Sequence, residues 1–223
     1  LMALIVTILV LQPDIGMTLM IVLTWGFQMF LAGMPMLLVV GIVALAPLGL
    51  YLAYLHLDHV KLRIEKFIDG GAWQVEQAKH SFANGGLFGV GPGDGTVKLR
   101  LPDAHSDFIF AVAGEEFGAL ACLTLVALYG FMVLRGFARA LSDEGLFCLI
   151  AGASLVLQFG VQAAIHMASS ADLIPTKGMT LPLISYGGSS LVASGLTMGL
   201  ILALTRRRAP YSLPGRRHLQ EAV

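Results

Sequence analysis

Long apolar runs occupy the start and the second half of the chain, and one extended polar stretch separates them. A bilayer core about 30 Å thick needs roughly 20 apolar residues in a helix. Apolar runs of about that length fall at Ile15–Gly33, Met36–Leu55, Phe108–Leu134, Leu146–Ala168 and Leu183–Leu204, uncharged apart from Glu115 and Glu116 in the third. A further run, Leu1–Leu11, is too short to cross unless residues precede it, and the chain opens inside it with no flanking charge. The start is therefore expected to be truncated. The pattern predicts an all-α fold, a polytopic transmembrane helical bundle with five complete spans and one partial span.

Lys and Arg near span ends favour the cytoplasmic side. Arg206, Arg207 and Arg208 close the last run, and the connection holding Arg135 and Arg139 then falls on the same side. Residues 56–106 become a large extracytoplasmic loop, and loops of that length are usually functional. Within it, Trp73, Val75 and Ala78 suggest a short interfacial helix. The glycine-rich run Gly85–Gly95 lacks the Gly-Lys-Ser/Thr ending of a P-loop and follows no strand, so a flexible or re-entrant loop is the better reading. The organisation expected is 1–55 for the partial span and two helices, 56–106 for the loop, 107–205 for three helices with the catalytic face, and 206–223 for a cytoplasmic tail. Pro210, Pro214, Arg216 and Arg217 in that tail read as disorder.

Composition agrees: 57% of residues are hydrophobic, 13% charged, and mean hydropathy is +0.80. With 14 basic and 14 acidic residues, overall charge gives no argument for nucleic-acid binding. Cys122 and Cys148 sit in apolar runs without metal or redox spacing and read as packing residues.

The candidate chemistry clusters where loop meets span. Asp107 lies at the start of the run Phe108–Leu134. A carboxylate with water on one side and a low-dielectric wall on the other has a raised pKa and suits a general base; the other reading is a helix N-cap. Glu115 and Glu116, flanked by Gly114 and Gly118, lie about 80° and 180° round a continuous helix from Asp107, so both cannot share its cavity. Each could be catalytic or could pair across helices. Gln158, Gln162 and His166 recur every four residues, a stripe that either lines a cavity or bonds neighbouring helices. Lys177 could attract a phosphate or anchor its span. Gly187 and Gly188 allow close helix approach, or an open helix start whose free N–H groups favour anions.

Three stretches carry a resemblance: Gln12-Pro13-Asp14-Ile15-Gly16, the run from Pro102 to Gly118, and the run from Pro175 to Ser190. Together they resemble the signature of the SEDS family of peptidoglycan glycosyltransferases. Ala104 before His105, Gly114 before Glu115, and Lys177-Gly178 before Leu181-Pro182 look more like its FtsW branch than its RodA branch. The resemblance implies ten helices, of which about four would precede this chain, in the bacterial inner membrane at the division septum. It implies transfer of a growing glycan from undecaprenyl diphosphate to the 4-hydroxyl of an incoming lipid II, with Asp107 as catalytic base and Lys177 at the diphosphate. His105, Glu115, Gln162, Ser185 and Ser189 are then expected to bind substrate. A class B penicillin-binding protein is the implied partner and no cofactor is implied, although a divalent cation could assist. Asp103, Ser106 and His166 stand where the family usually has Glu, Thr and Asn.

Two other functions use the same cavity or fold: a lipid II flippase, and a non-catalytic scaffold that recruits a division transpeptidase. A flippase needs ionisable groups along its whole path, whereas the acids here gather at the outer face, next to the long loop.

Overall fold

The computed structural model describes residues 2–12, 14–56, 58–68, 73–143, 145–175 and 178–206. Helices α1 (Met2–Leu11), α2 (Ile15–Leu31) and α3 (Met36–His56) account for the early apolar runs. Asp14 caps α2 by accepting a hydrogen bond from the Met17 amide at 3.1 Å, while the Thr18 hydroxyl returns to the Asp14 carbonyl at 2.8 Å. The polar stretch is more ordered than its sequence suggests. It contains α4 (Asp58–Ile68), α5 (Trp73–Gly85) and a 3-10 turn (Val97–Arg100). The short helix read around Trp73 is α5; Val75 and Ala78 are buried, and Trp73 is exposed.

The second half is α6 (Ile109–Ala140), α7 (Leu146–Ser170) and α8 (Gly188–Leu204). Helices α6 and α7 are long and apolar enough to cross a membrane, and α8 is a shorter apolar helix. α6 and α7 approach closely because small residues face branched ones in both directions. A Cβ on Gly136 would lie 2.8 Å from Val156, and one on Gly160 would lie 2.8 Å from Val133. Tyr129, Val156, Phe159, Ala163, Leu181 and Ile201 form the buried cluster where α6, α7 and α8 meet.

Two expected spans need correction. The run Phe108–Leu134 is part of a longer α6 that reaches Ala140, placing Arg135 and Arg139 on its last turns, and it is broken at Gly118 (φ 79°, ψ −180°). The run Leu183–Leu204 becomes helical only at Gly188, so residues 183–187 are unwound.

The break in α6 is filled by the glycine-rich loop. The Val90 and Gly91 amides donate to the Glu115 and Glu116 carbonyls (3.0 and 3.1 Å), and the Ala119 and Leu120 amides donate to the Gly86 and Leu87 carbonyls (2.9 and 3.3 Å). Backbone groups freed by the break are thus satisfied by an inserted segment, which is what non-helical backbone within a membrane helix requires. The insertion depends on glycine. A Cβ on Gly118 would lie 2.4 Å from the Leu87 carbonyl oxygen, and one on Gly89 would lie 2.2 Å from that of Glu116.

Gly118→Ala combines a left-handed backbone with this overlap. Strain of about 1–3 kcal/mol for a backbone conformation open essentially to glycine and overpacking of about 1–3 kcal/mol predict a loss of about 2–6 kcal/mol, read as a lower melting temperature in detergent. Unchanged melting would show that the loop does not hold the break.

Candidate active site

Asp107 sits where two turns are stapled together, before the first helical residue of α6. Its amide donates to the Asp103 carbonyl at 2.9 Å. The opposing turn is fixed by Ser185, whose hydroxyl donates to the Ser106 carbonyl (2.7 Å) and accepts from the Leu181 amide (2.7 Å). One residue on, the Tyr186 amide donates to the His105 carbonyl at 2.9 Å, and its ring meets the His105 ring edge-on at 5.3 Å. Asp103, Asp172 and Leu183, in the turns at this end of the bundle, hold positive φ values of 53°, 57° and 68°. Left-handed backbone in non-glycine residues is sustained only where the surroundings over-determine it.

Asp107 is not a cap. The N-cap position of α6 belongs to Phe108, with no side-chain capping bond. The Asp107 carboxylate is half-buried and has no hydrogen-bond partner among the described residues. Burial pushes its pKa above the usual carboxylate range, the neighbouring Asp103 adds to the rise, and His105 opposes it. One oxygen lies against Gly178, so closely that a Cβ there would be 2.8 Å away.

Gly178 also lines a cavity of about 670 Å³ between α1, α2, α7, α8 and the turn 178–182. Asp14, Gln28, Gln158, Gln162, Ser190 and Ser194 give it a polar lining. Of the polar stripe on α7, Gln158 and Gln162 line this cavity, while His166 is wholly buried behind it.

The other expected site residues divide by geometry. Gln162 lines the cavity and bonds Thr180; His105 is exposed beside the stapled turns; Ser189 is exposed in the first turn of α8. Lys177 lies outside the described residues. Ser185 is buried, and its hydroxyl is committed to the staple. Glu115 is wholly buried, and its carboxylate accepts from the Asn84 amide nitrogen (2.9 Å) and from the backbone amides of Thr96, Val97 and Lys98 (2.8, 2.8 and 2.9 Å). In this state it holds the loop and faces no open space. Glu116 pairs with Lys98. Because α6 starts only after Asp107, no continuous helix relates Asp107 to the glutamates, and both turn to the loop.

Asp14 and Gln28 were not expected in the site. For Asp14 a signal was available in the resemblance, since it belongs to the first of the three stretches, but its capping role hides its second role as a cavity wall; Gln28 lies in none of them.

The sequence profile of the FtsW/RodA/SpoVE family, described as a cell cycle protein family, matches residues 1–209. The chain is 43% identical over 206 residues to a probable peptidoglycan glycosyltransferase FtsW of Caulobacter vibrioides, covering 91% of this chain and 53% of the relative. It is 35% identical over 222 residues to a protein of the same description from Legionella pneumophila, covering 95% and 56%. The chain spans about half the length of the curated relatives it matches. A solved structure reported as structural coordination of polymerization and crosslinking by a peptidoglycan synthase complex contains a chain of similar fold. Its TM-score is 0.72 at 29% identity, over 94% of this chain and 62% of the other. The chain belongs to the FtsW/RodA/SpoVE family of cell cycle proteins.

Proposed function

We propose that the protein to which this chain contributes is a peptidoglycan glycosyltransferase that polymerises lipid II at the division septum. The observation that carries this reading is the half-buried Asp107 carboxylate, without a hydrogen-bond partner among the described residues and packed on Gly178 at the edge of a polar cavity. In the reaction, the acceptor 4-hydroxyl attacks the anomeric carbon of the donor glycan. The new glycosidic bond forms as the bond from that carbon to the diphosphate oxygen breaks, and undecaprenyl diphosphate leaves with the electron pair. Asp107 takes the hydroxyl proton, a role for which a carboxylate of raised pKa is suited. Lys177 is assigned to the diphosphate, where a fixed cation offsets the charge that develops on the leaving group. His105 and Ser189, exposed near the same turns, are assigned to the headgroup.

The stapled end of the bundle is assigned to the outer face of the bacterial inner membrane and the C-terminus to the cytoplasm. A class B penicillin-binding protein is the proposed partner; the similar fold of a chain in a peptidoglycan synthase complex supports this.

The test is glycan-chain formation from purified lipid II by the full-length protein, co-purified with its transpeptidase. Chains are expected. Lipid II crossing the bilayer without polymerising would replace this reading with a flippase, and neither activity would leave the scaffold.

A further inference from the structure

We propose that His166 and Gln162 are positioning residues: one turn apart on α7, they grip consecutive carbonyls of the unwound segment 178–182 and fix the register that brings Gly178 against Asp107. The inference deepens the reading of Asp107 as the base and rests on it.

The segment has no helix or strand to satisfy its backbone, and side chains do so instead. His166 Nδ1 lies 2.6 Å from the Met179 carbonyl. Gln162 Nε2 donates to the Thr180 carbonyl at 3.0 Å, and the Tyr129 hydroxyl donates to the Pro182 carbonyl. His166 and Gln162 meet the segment in order as it runs antiparallel to α7, and Tyr129 reaches it from α6. The Leu181 amide completes the set through Ser185, which continues to Ser106, one residue before Asp107.

Register matters because of Gly178. The Asp107 oxygen occupies space that a Cβ on residue 178 would need. A slip of one residue would put Lys177 or Met179 there, and either side chain would push the carboxylate away. A displacement of about 1 Å in a catalytic group can cost about a hundredfold in rate. Since a carbonyl only accepts, His166 must carry its hydrogen on Nδ1. Its Nε2 is buried without a partner among the described residues, so among them the ring is held through Nδ1.

That asymmetry supplies the test. The Nδ2 of Asn stands at the same bond count from the backbone as Nδ1 of His, whereas the terminal nitrogen of Gln corresponds to Nε2. In the full-length protein with its partner, His166→Asn is expected to keep kcat within about threefold of wild type. His166→Gln and His166→Leu should lower kcat by about 10–100-fold with KM nearly unchanged. Hydrogen exchange at the Leu181, Ser185 and Tyr186 amides should rise in the Gln and Leu variants and not in the Asn variant. Gln162→Leu should behave as His166→Leu does, which keeps the proposal testable if one variant fails to fold.

Equal activity and protection in the Asn and Gln variants would overturn the proposal. So would a rise in KM alone, which would make these residues substrate ligands. If wild type forms no glycan, the glycosyltransferase reading falls, and the exchange pattern still decides whether the register is set by His166.

Discussion

Asp107→Asn is expected to abolish glycan polymerisation while making the protein more stable. The two effects share one cause. The Asp107 carboxylate is half-buried, has no hydrogen-bond donor among the described residues, and lies near Asp103. The folded state therefore disfavours its charge. With the folded pKa above the unfolded value, the folded state binds more protons between the two, and stability falls as pH rises through that window. An amide of the same shape removes this cost at neutral pH, so the variant should melt higher in detergent. It also removes the proton acceptor, and losing a positioned base costs about 10²–10⁴-fold in rate. Wild-type turnover should fall as pH drops through a value above the usual carboxylate range, because only the ionised carboxylate can accept the proton. Polymerisation by the variant at the wild-type rate would sink the assignment. Loss of both activity and stability would instead mark Asp107 as structural.

This trade explains why position alone misleads at Asp107. An aspartate before an apolar helix usually caps it, and the sequence offers no sign that Phe108 takes the cap position instead. The apolar runs themselves were legible because hydrophobicity is a property of each residue, and α2, α3 and α7 begin at the residues where those runs begin. The break at Gly118 was not, because apolar residues resume directly after it and the pair Glu115-Glu116 beside it reads equally well as polar residues on an unbroken helix. It is produced by a loop about thirty residues earlier in the chain that donates to and accepts from the opened turn. The unwound stretch 183–187 was hidden for the same reason: Leu183 and Ile184 are apolar, and only the side chains that capture the neighbouring carbonyls make a non-helical path tolerable there. What one sequence stretch cannot carry is information about partners far along the chain.

Glu115 is the sharpest case, and replacing it is expected to release the loop. Its carboxylate collects three successive backbone amides, Thr96, Val97 and Lys98, at the start of the 3-10 turn, together with the Asn84 side chain. This is the arrangement in which an anion satisfies amides that a helix start leaves unpaired. Glu115→Ala leaves those donors without an acceptor. At about 1 kcal/mol or more for each unsatisfied amide, the loss is about 3 kcal/mol or more. Because residues 115 and 116 also hold the inserted glycine-rich loop through their carbonyls, amide protection over 86–98 should fall together, and polymerisation with it. Glu115→Gln should recover only part of the stability. One carboxylate oxygen serves three donors and the other serves the Lys98 amide, so the new NH₂ must face at least one N–H. If Glu115 instead binds substrate, as the family resemblance implies, Glu115→Gln would raise KM while leaving the 96–98 amides as protected as in wild type. Hydrogen exchange on the folded variant separates the two, since only the structural role ties those amides to a side chain on α6.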